Sequence, residues 1–214
     1  MAAPSNGTST RQKLLLCALR LYAERGLKGV SLRTISSESG TRNSSAAHYH
    51  FGNRLGLIEA VLTLITDHLR PRFESCINRV EAAEAPSIRD VVRSFALPYL
   101  QLSTPSLPWG TSALRFMAHL HADNTQEVML LLNRHFRFEI ERIEAQLHRI
   151  LPGVPRSSLR IRLAFTFVNL IHGATEIEML ANTPFGNIRP DDTTLFNEFV
   201  DYVVGGLAFQ QGRP

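Results

Sequence analysis

The chain has only two cysteines in 214 residues, Cys17 and Cys76. That is too few for a disulfide framework. Each falls inside an apolar helical pattern, so both are expected as buried, reduced thiols, in keeping with a reducing cytosol. Long hydrophobic runs are missing as well. Leu163 to Ile171 contains Asn169 and is far shorter than the roughly 20 apolar residues of a membrane span. The run Leu14 to Leu19 is cut by Arg20 and then continues at helical spacing through Tyr22 and Ala23, unlike a signal-peptide core. The expectation is therefore a cytoplasmic protein. No stretch alternates apolar and polar residues between turn signals, so no strand is predicted. There is no glycine-rich phosphate loop, no nucleophile elbow and no paired histidine on one helical face. His119 and His121 are two apart, which on a helix sends their side chains about 200° apart. Asp191-Asp192 reads as a cap for the last helix rather than as a catalytic pair. No catalytic residue, metal or cofactor is implied.

What is present is an ordinary core and an uneven charge. The chain is 44% hydrophobic and 20% charged, the balance of a globular domain. Residues 1–55 hold eight basic residues (Arg11, Lys13, Arg20, Arg25, Lys28, Arg33, Arg42 and Arg54) against Glu24 and Glu38, a net of +6. The remainder holds fifteen basic and seventeen acidic residues, a net of −2. Positive charge gathered in one quarter of a chain is the footprint expected for a polyanion, although a solvated basic surface gives the same count.

The same quarter carries the most informative pattern. Residues 11–25 predict a helix with Leu15, Ala18, Leu19 and Tyr22 as its apolar stripe and Gly26 as its stop. Ser31 caps a second helix with Ile35 facing inward, and Gly40 permits the turn that follows. A third helix is predicted over 44–50, with Phe51 as a core anchor and Gly52-Asn53 as the next turn. This third helix has few residues fit for a core. It offers Asn43, Ser44, Ser45, His48, Tyr49 and His50, with Arg42 at its start. Hydroxyl, amide and guanidinium groups at that density suit phosphates and base edges.

From Leu55 onward the pattern is helical throughout. Leu57, Ile58, Val61, Leu62, Ile65 and Leu69 recur at helical spacing, and Pro71 is expected to kink or divide their helix. Further helices are predicted over 87–101 (capped by Ser87, kinked at Pro98), 109–122, 125–150 (capped by Asn124), 158–180 and 192–205. The small, polar residues 1–10 read as a mobile arm. The fold class is all-α. The predicted division is an arm (1–10), a helix-turn-helix head (11–55) and a larger helical body (56–214).

One family carries this arrangement. The run Gly29-Val30-Ser31-Leu32-Arg33-Thr34-Ile35, the pair Ser39-Gly40 and the stretch Tyr49-His50-Phe51-Gly52-Asn53-Arg54-Leu55-Gly56-Leu57-Ile58-Glu59-Ala60-Val61 resemble the helix-turn-helix signature of the TetR family of bacterial transcription regulators. The motif covers about a quarter of the chain. It departs from the family pattern in three places. His48-Tyr49-His50-Phe51 stands where Tyr-x-Tyr-Phe is usual, Ser39-Gly40 replaces Ala-Gly, and the step from Gly40 to Phe51 is one residue longer.

The resemblance implies a repressor released from a palindromic operator by a small molecule. It places the third helix in the major groove and the second across the backbone, so a dimer reads two half-sites. Arg42 is the candidate base reader, since a guanidinium forks onto guanine. Asn43, Ser44 and Ser45 either read bases or cap the helix. Tyr49 and His50, with His48 beside them, are expected at the sugar-phosphate backbone, and Thr41, Arg54 and Arg33 at flanking phosphates. In the body, Trp109, Phe116, His119, Leu120, Phe136, His172, Glu176 and Met179 either line a pocket for a small, mostly apolar effector or pack an ordinary core. Phe165, Val168 and Ile171, with Phe196, Phe199, Val200 and Val203, are the candidate homodimer surface, or else monomer core. The competing readings are an orphan or architectural DNA-binding protein and a helical enzyme.

Overall fold

The computed structural model describes residues 9–41, 43–123, 125–175, 184, 186–187 and 192–209. All the elements among them are helices: α1 (Thr10–Arg25), α2 (Leu32–Glu38), α3 (Ala46–Phe51), α4 (Arg54–Ala82), α5 (Ile88–Leu100), α6 (Gly110–Ala122), α7 (Gln126–Ile150), α8 (Arg156–Thr175) and α9 (Asp192–Ala208), with a short 3₁₀ turn at Gln101–Ser103. None of the described helices is long and apolar enough to cross a membrane. Residues 1–8 of the arm, Asn124, Glu176 and Met179 lie outside the described residues, as does Arg42, while the arm's last two residues, Ser9 and Thr10, cap and open α1.

Local chemistry sets the boundaries. Ser9, Ser31 and Ser87 each accept a hydrogen bond from the third residue of the helix they precede, which satisfies one of the free amides of a first turn. Ser87 and Asp90 form a reciprocal capping box. Gly26 ends α1 at φ 71°, a backbone that costs other residues strain, while its amide donates to the Tyr22 carbonyl. Gly40, at φ 73°, turns the chain from α2 toward α3.

Several expectations are corrected. Pro71 does not divide α4, which runs unbroken to Ala82. Pro71 and Asp67 are both exposed, so the carbonyl that proline leaves unpaired faces water while Leu69, Phe73 and Ile77 stay buried on the other side. Pro98 likewise sits inside α5 without ending it. Helix α7 starts after Thr125, whose amide and hydroxyl both bond to the Asp123 carboxylate at 3.1 and 2.7 Å. Cys17 is buried, with its thiol against the Ile35 carbonyl at 3.8 Å, and burial pushes that thiol up. Cys76 is only half-buried.

Helices α1, α2 and α3 form a small unit on the N-terminal end of α4, around Leu14, Ala18, Leu21, Ile35 and Ala47. Farther along, α4 packs on α5 and α7, α5 packs on α9, and α6 lies between α1 and α8. The contact of α6 with α1 ties the two ends of the molecule together. Phe116 of α6 packs against Tyr22 of α1, both fully buried, with ring centres 6.0 Å apart.

A candidate nucleic-acid interface and its connection to the helical body

The second and third helices are pinned from inside. Ser36 is fully buried, and its hydroxyl accepts the Ala47 amide at 3.0 Å. The Ser36 carbonyl accepts the hydroxyls of Ser39 and Thr41, both at 2.8 Å. Ala46 and Ala47 are the only residues of α3 that are buried. Small side chains at those two places let α3 lie close on α2, with Phe51 packed at the edge of the core and His48 and Tyr49 turned outward.

Asn43, Ser44, Ser45, His48 and Tyr49 are consequently exposed, Tyr49 by 83%, and His50 is half-buried. Asn43 uses its side-chain carbonyl to accept the Ser45 amide at 2.9 Å, a local turn that prepares α3. Ser45 precedes α3 but makes no side-chain cap. Tyr49 meets His50 edge to face, His50 is tilted against Phe51, and the Arg11 guanidinium lies over the Phe51 ring at 5.2 Å. The Thr41 hydroxyl, expected at a phosphate, is turned inward onto the Ser36 and Asn43 carbonyls.

Between α1, the turn and α3 lies an open cleft of about 390 Å³, lined by Thr10, Lys13, Gly40, Thr41, Asn43, Ala46, Tyr49 and His50. Sequence reading counted Lys13 only as charge and did not assign Thr10. Nothing in the motif places α1 beside α3; three-dimensional packing does. The charges also divide in two. Arg20 and Arg25 both bind Glu38, at 3.1 and 2.8 Å, and this holds α1 to α2. The Glu38 carboxyl is held low by the Arg20 bond first and the Arg25 bond second. Arg11, Lys13, Lys28, Arg33 and Arg54 carry no ion pair among the described residues. Arg54 opens α4 and faces the buried Tyr22 hydroxyl. Burial pushes that phenol up to about 12 against the opposing pull of Arg54.

The proposed effector residues do not gather around one cavity. Phe116 and Leu120 are fully buried in the core, because the inward side of α6 packs on α1 and α8. His119 points toward α1 rather than into the body, with Nε2 3.3 Å from the Ala23 carbonyl. Trp109 is half-buried, edge-on to His68 at 5.2 Å. Phe136 is half-buried and His172 is exposed. A second open cleft, of about 450 Å³, lies between α4 and α5, bordered by Cys76, Arg79, Asp90, Arg93 and Leu97. It sits where α4 hands over to α5, with Ala83 and Pro86 of the connection at its edge.

The candidate dimer residues also separate. Ile171, Phe196, Val200 and Val203 are buried within the chain. The start of α9 is held on α5, where Arg93 lies over the Phe196 ring and bonds Asn197, and Arg89 pairs with Asp201. Phe199 is half-buried. Phe165 and Val168 are exposed, by 65% and 46%, and share a helical face with Ile161 of α8; Tyr202 on α9 and Phe209 just past its end are exposed as well.

Comparison with known proteins agrees with this architecture. Residues 93–206 match the family model described as "Tetracyclin repressor-like, C-terminal domain", more than half of the chain. The chain belongs to the TetR family of transcription regulators. It is 33% identical over 75 residues to the HTH-type transcriptional repressor KstR2 of Mycolicibacterium smegmatis, a match that spans 35% of this chain and 36% of that protein. The aligned part is thus about a third of that relative's length. Solved structures share the fold over nearly the whole chain. The fatty acid degradation regulator FadR from Bacillus halodurans superposes with a TM-score of 0.66 at 14% identity, over 96% of this chain and 100% of that one. The ketosteroid transcriptional regulator KstR2 of Mycobacterium tuberculosis gives 0.60 at 14% identity, over 94% and 96%. The SmeT–triclosan complex gives 0.63 at 19% identity, over 92% and 91%.

Proposed function

We propose that this TetR-family chain is a cytoplasmic, homodimeric repressor that reads a palindromic operator and releases it when a small molecule binds the helical body. One observation carries the reading. Helix α3 buries only its two alanines and exposes a polar, aromatic surface beside an open cleft that Lys13 enters. Such a surface has no role in the chain's own core, and its groups suit phosphate and base edges. Residues 11–55 serve as the head and 56–214 as the body.

In this reading Asn43, Ser44 and Ser45 face the base edges, with Arg42 preceding them. His48, Tyr49 and His50 meet the sugar-phosphate backbone, and Lys13, Arg33 and Arg54 neutralise flanking phosphates. Thr41 shapes the turn. The exposed apolar residues Ile161, Phe165, Val168, Tyr202 and Phe209 pair with those of a second copy, since exposed apolar surface of this kind marks an interface. Two heads then lie one helical turn of DNA apart or a multiple of it. That one relative is named a repressor and another structure holds triclosan supports repression and release by ligand. No chemistry is assigned to the chain, as regulators of this family act by binding.

The test is selection of random duplex DNA by the purified protein, with the bound pools sequenced. Enrichment of a palindrome is expected. A folded dimer that enriches no sequence overturns the reading in favour of a nonspecific architectural protein.

A further inference from the structure

The cleft between α1 and α3 is lined by hydrogen-bond donors, with no carboxylate among its described lining residues. The Lys13 ammonium and the Thr10 hydroxyl come from α1, Asn43 from the turn, and Tyr49 and His50 from α3. The amide acceptor is already used. Asn43 Oδ1 holds the Ser45 amide at 2.9 Å, which leaves the NH₂ group of that side chain to donate. The Thr41 hydroxyl is likewise spent on the Ser36 carbonyl at 2.8 Å. Such a lining takes an acceptor, and Lys13 makes an anion the best one.

His50 is the lining group whose charge can change near neutrality. A lysine stays charged throughout that range, whereas an imidazole ordinarily titrates near about pH 6.5. The ring is half-buried and held from two sides, edge to face with Tyr49 at 5.2 Å and tilted against Phe51 at 6.2 Å. His48 is exposed and does not line the cleft. The charges on the helices packed around α3 are either cationic or committed. On α1, Lys13 borders the cleft, Arg11 lies over the Phe51 ring at 5.2 Å, and Glu24 is paired with Arg20. On α2, Arg33 is exposed and Glu38 is bound by Arg20 and Arg25. At the start of α4, Arg54 faces the Tyr22 hydroxyl, and Glu59 is paired with Arg134 of α7. No carboxylate among the described residues is therefore left for His50. A phosphate in the cleft supplies the missing negative partner, and an opposite charge nearby favours the imidazolium.

We propose that the α1–α3 cleft binds a phosphate of the DNA backbone together with a proton taken up by His50, so that the head grips DNA more tightly as the medium turns acid. This rests on the DNA-binding reading above and adds acidity to it as a second input beside the effector. The proton comes from solvent and returns to it on release. Because linkage is reciprocal, DNA binding and protonation of His50 strengthen each other equally.

The experiment measures the affinity of the full chain for its selected operator and for a random duplex, from about pH 8 to about pH 6 at fixed ionic strength. One unit gained at each of two heads supplies about thirtyfold over that interval, and a rise of at least about tenfold is expected. It should appear on both duplexes, because phosphate contacts carry no sequence information. The slope of log affinity against log salt should also steepen in acid, by up to about 1 per head for the added cation, which a merely structural histidine does not produce. His50→Gln should remove both effects. His50→Lys, charged throughout, should bind at the upper pH about as the parent does at the lower one and show no dependence; it decides the matter should His50→Gln fail to fold. His48→Gln should keep the ratio of the two affinities. Affinity flat in pH, a dependence that survives in both His50 variants or vanishes in His48→Gln, or a rise confined to the operator overturns the proposal. A His50-dependent rise in Tm with inorganic phosphate, beside flat DNA affinity, makes the cleft a site for the free anion and overturns it too. Operator selection runs alongside. An enriched palindrome with flat affinity sinks the proton linkage alone, and a proton-linked grip on random duplex without an enriched sequence sinks the regulator reading alone.

Discussion

His119 on α6 lies with Nε2 3.3 Å from the carbonyl of Ala23 on α1. A carbonyl only accepts, so the imidazole must be the donor, and Nε2 carries the proton. The ring also lies against Gly26, where an added Cβ would meet it at 3.7 Å. The bond closes the last turn of α1 onto the body of the molecule. His119→Ala is expected to lower stability by about 0.5–1.5 kcal/mol, the net worth of one such bond. Hydrogen exchange at the end of α1 should quicken, while exchange in α5 and α9 stays unchanged. His119→Gln keeps a side-chain N–H donor and should restore much of the loss. Uniform change across the chain would show that the bond does not join head and body.

Ser36 makes a second, more local connection. Its hydroxyl is the acceptor for the Ala47 amide, in a fully buried place. Ser36→Ala leaves that amide without a partner, at a cost of about 1–3 kcal/mol. Ser36→Cys retains volume but accepts weakly, and should fall between the two. Because the bond fixes α3 on α2, operator affinity should drop by more than the loss of folded fraction explains. Equal losses in the two assays would assign Ser36 to stability alone.

The helical order and the head were legible because they rest on local rules. Caps at Ser31 and Ser87, the stop at Gly26 and the turn at Gly40 are set within a few residues. What spans distant segments was not legible. Phe116 and Leu120 look like pocket residues until α1 is found covering them, and Ile171, Phe196, Val200 and Val203 look like a dimer surface until α8 and α9 close on the core. The Arg70–Glu139 pair joins α4 to α7, and no spacing rule brings positions 70 and 139 together. Lys13 is legible as charge and becomes a site residue only by the placement of α1 beside α3.

Lys13 supplies a test of the polyanion. It is exposed, carries no ion pair among the described residues and borders the cleft that Tyr49 and His50 also line. If it neutralises one phosphate, Lys13→Ala should weaken binding to all DNA sequences alike and lower the salt slope by about 1. Stability should move by less than about 0.5 kcal/mol, as for other exposed substitutions. Tyr49→Ala, at the most exposed aromatic among the described residues, should also leave the fold unchanged and weaken DNA binding. An unaltered salt slope for Lys13→Ala would remove the α1 side of the cleft from the interface.

The α8–α9 surface is testable by contrast between an exposed and a buried phenylalanine. Phe165 is 65% exposed and Phe196 is 7% exposed. Phe165→Glu should shift the protein from dimer to monomer in sedimentation and keep its helicity, because most of the side chain faces water within one chain. Phe196→Ala should instead destabilise the chain by about 3–5 kcal/mol, the range for emptying a buried aromatic site. Operator affinity should collapse for Phe165→Glu, since a monomer holds one half-site. A stable dimer after Phe165→Glu would place the interface elsewhere.

The pH dependence of stability follows in part from two half-buried imidazoles. His121 is held below the usual imidazole value by burial first and by His172 second. His135 is held low by burial first, with Arg134 and Arg70 adding to it and Glu59 and Asp67 opposing. Both are neutral in the fold, while the unfolded chain takes up protons near about pH 6.5. Unfolding therefore binds protons in acid, so stability is complete above that value and is lost as pH falls below it. The carboxylates of Glu38, Glu81, Asp90 and Asp123 are lowered in the fold by hydrogen bonds, chiefly from arginine, serine and threonine partners. Their contribution is present above the ordinary carboxylate range and disappears as pH falls through the folded values. Tm should accordingly decline in two steps, one beginning near about pH 6.5 and one below about 4.5. His135 Nδ1 lies 3.3 Å from the Thr66 hydroxyl, and His135→Gln can still meet that hydroxyl and has no proton to gain. It should flatten part of the first step and leave the second unchanged. A first step of full size in a His121→Gln, His135→Gln double variant would assign it to other groups.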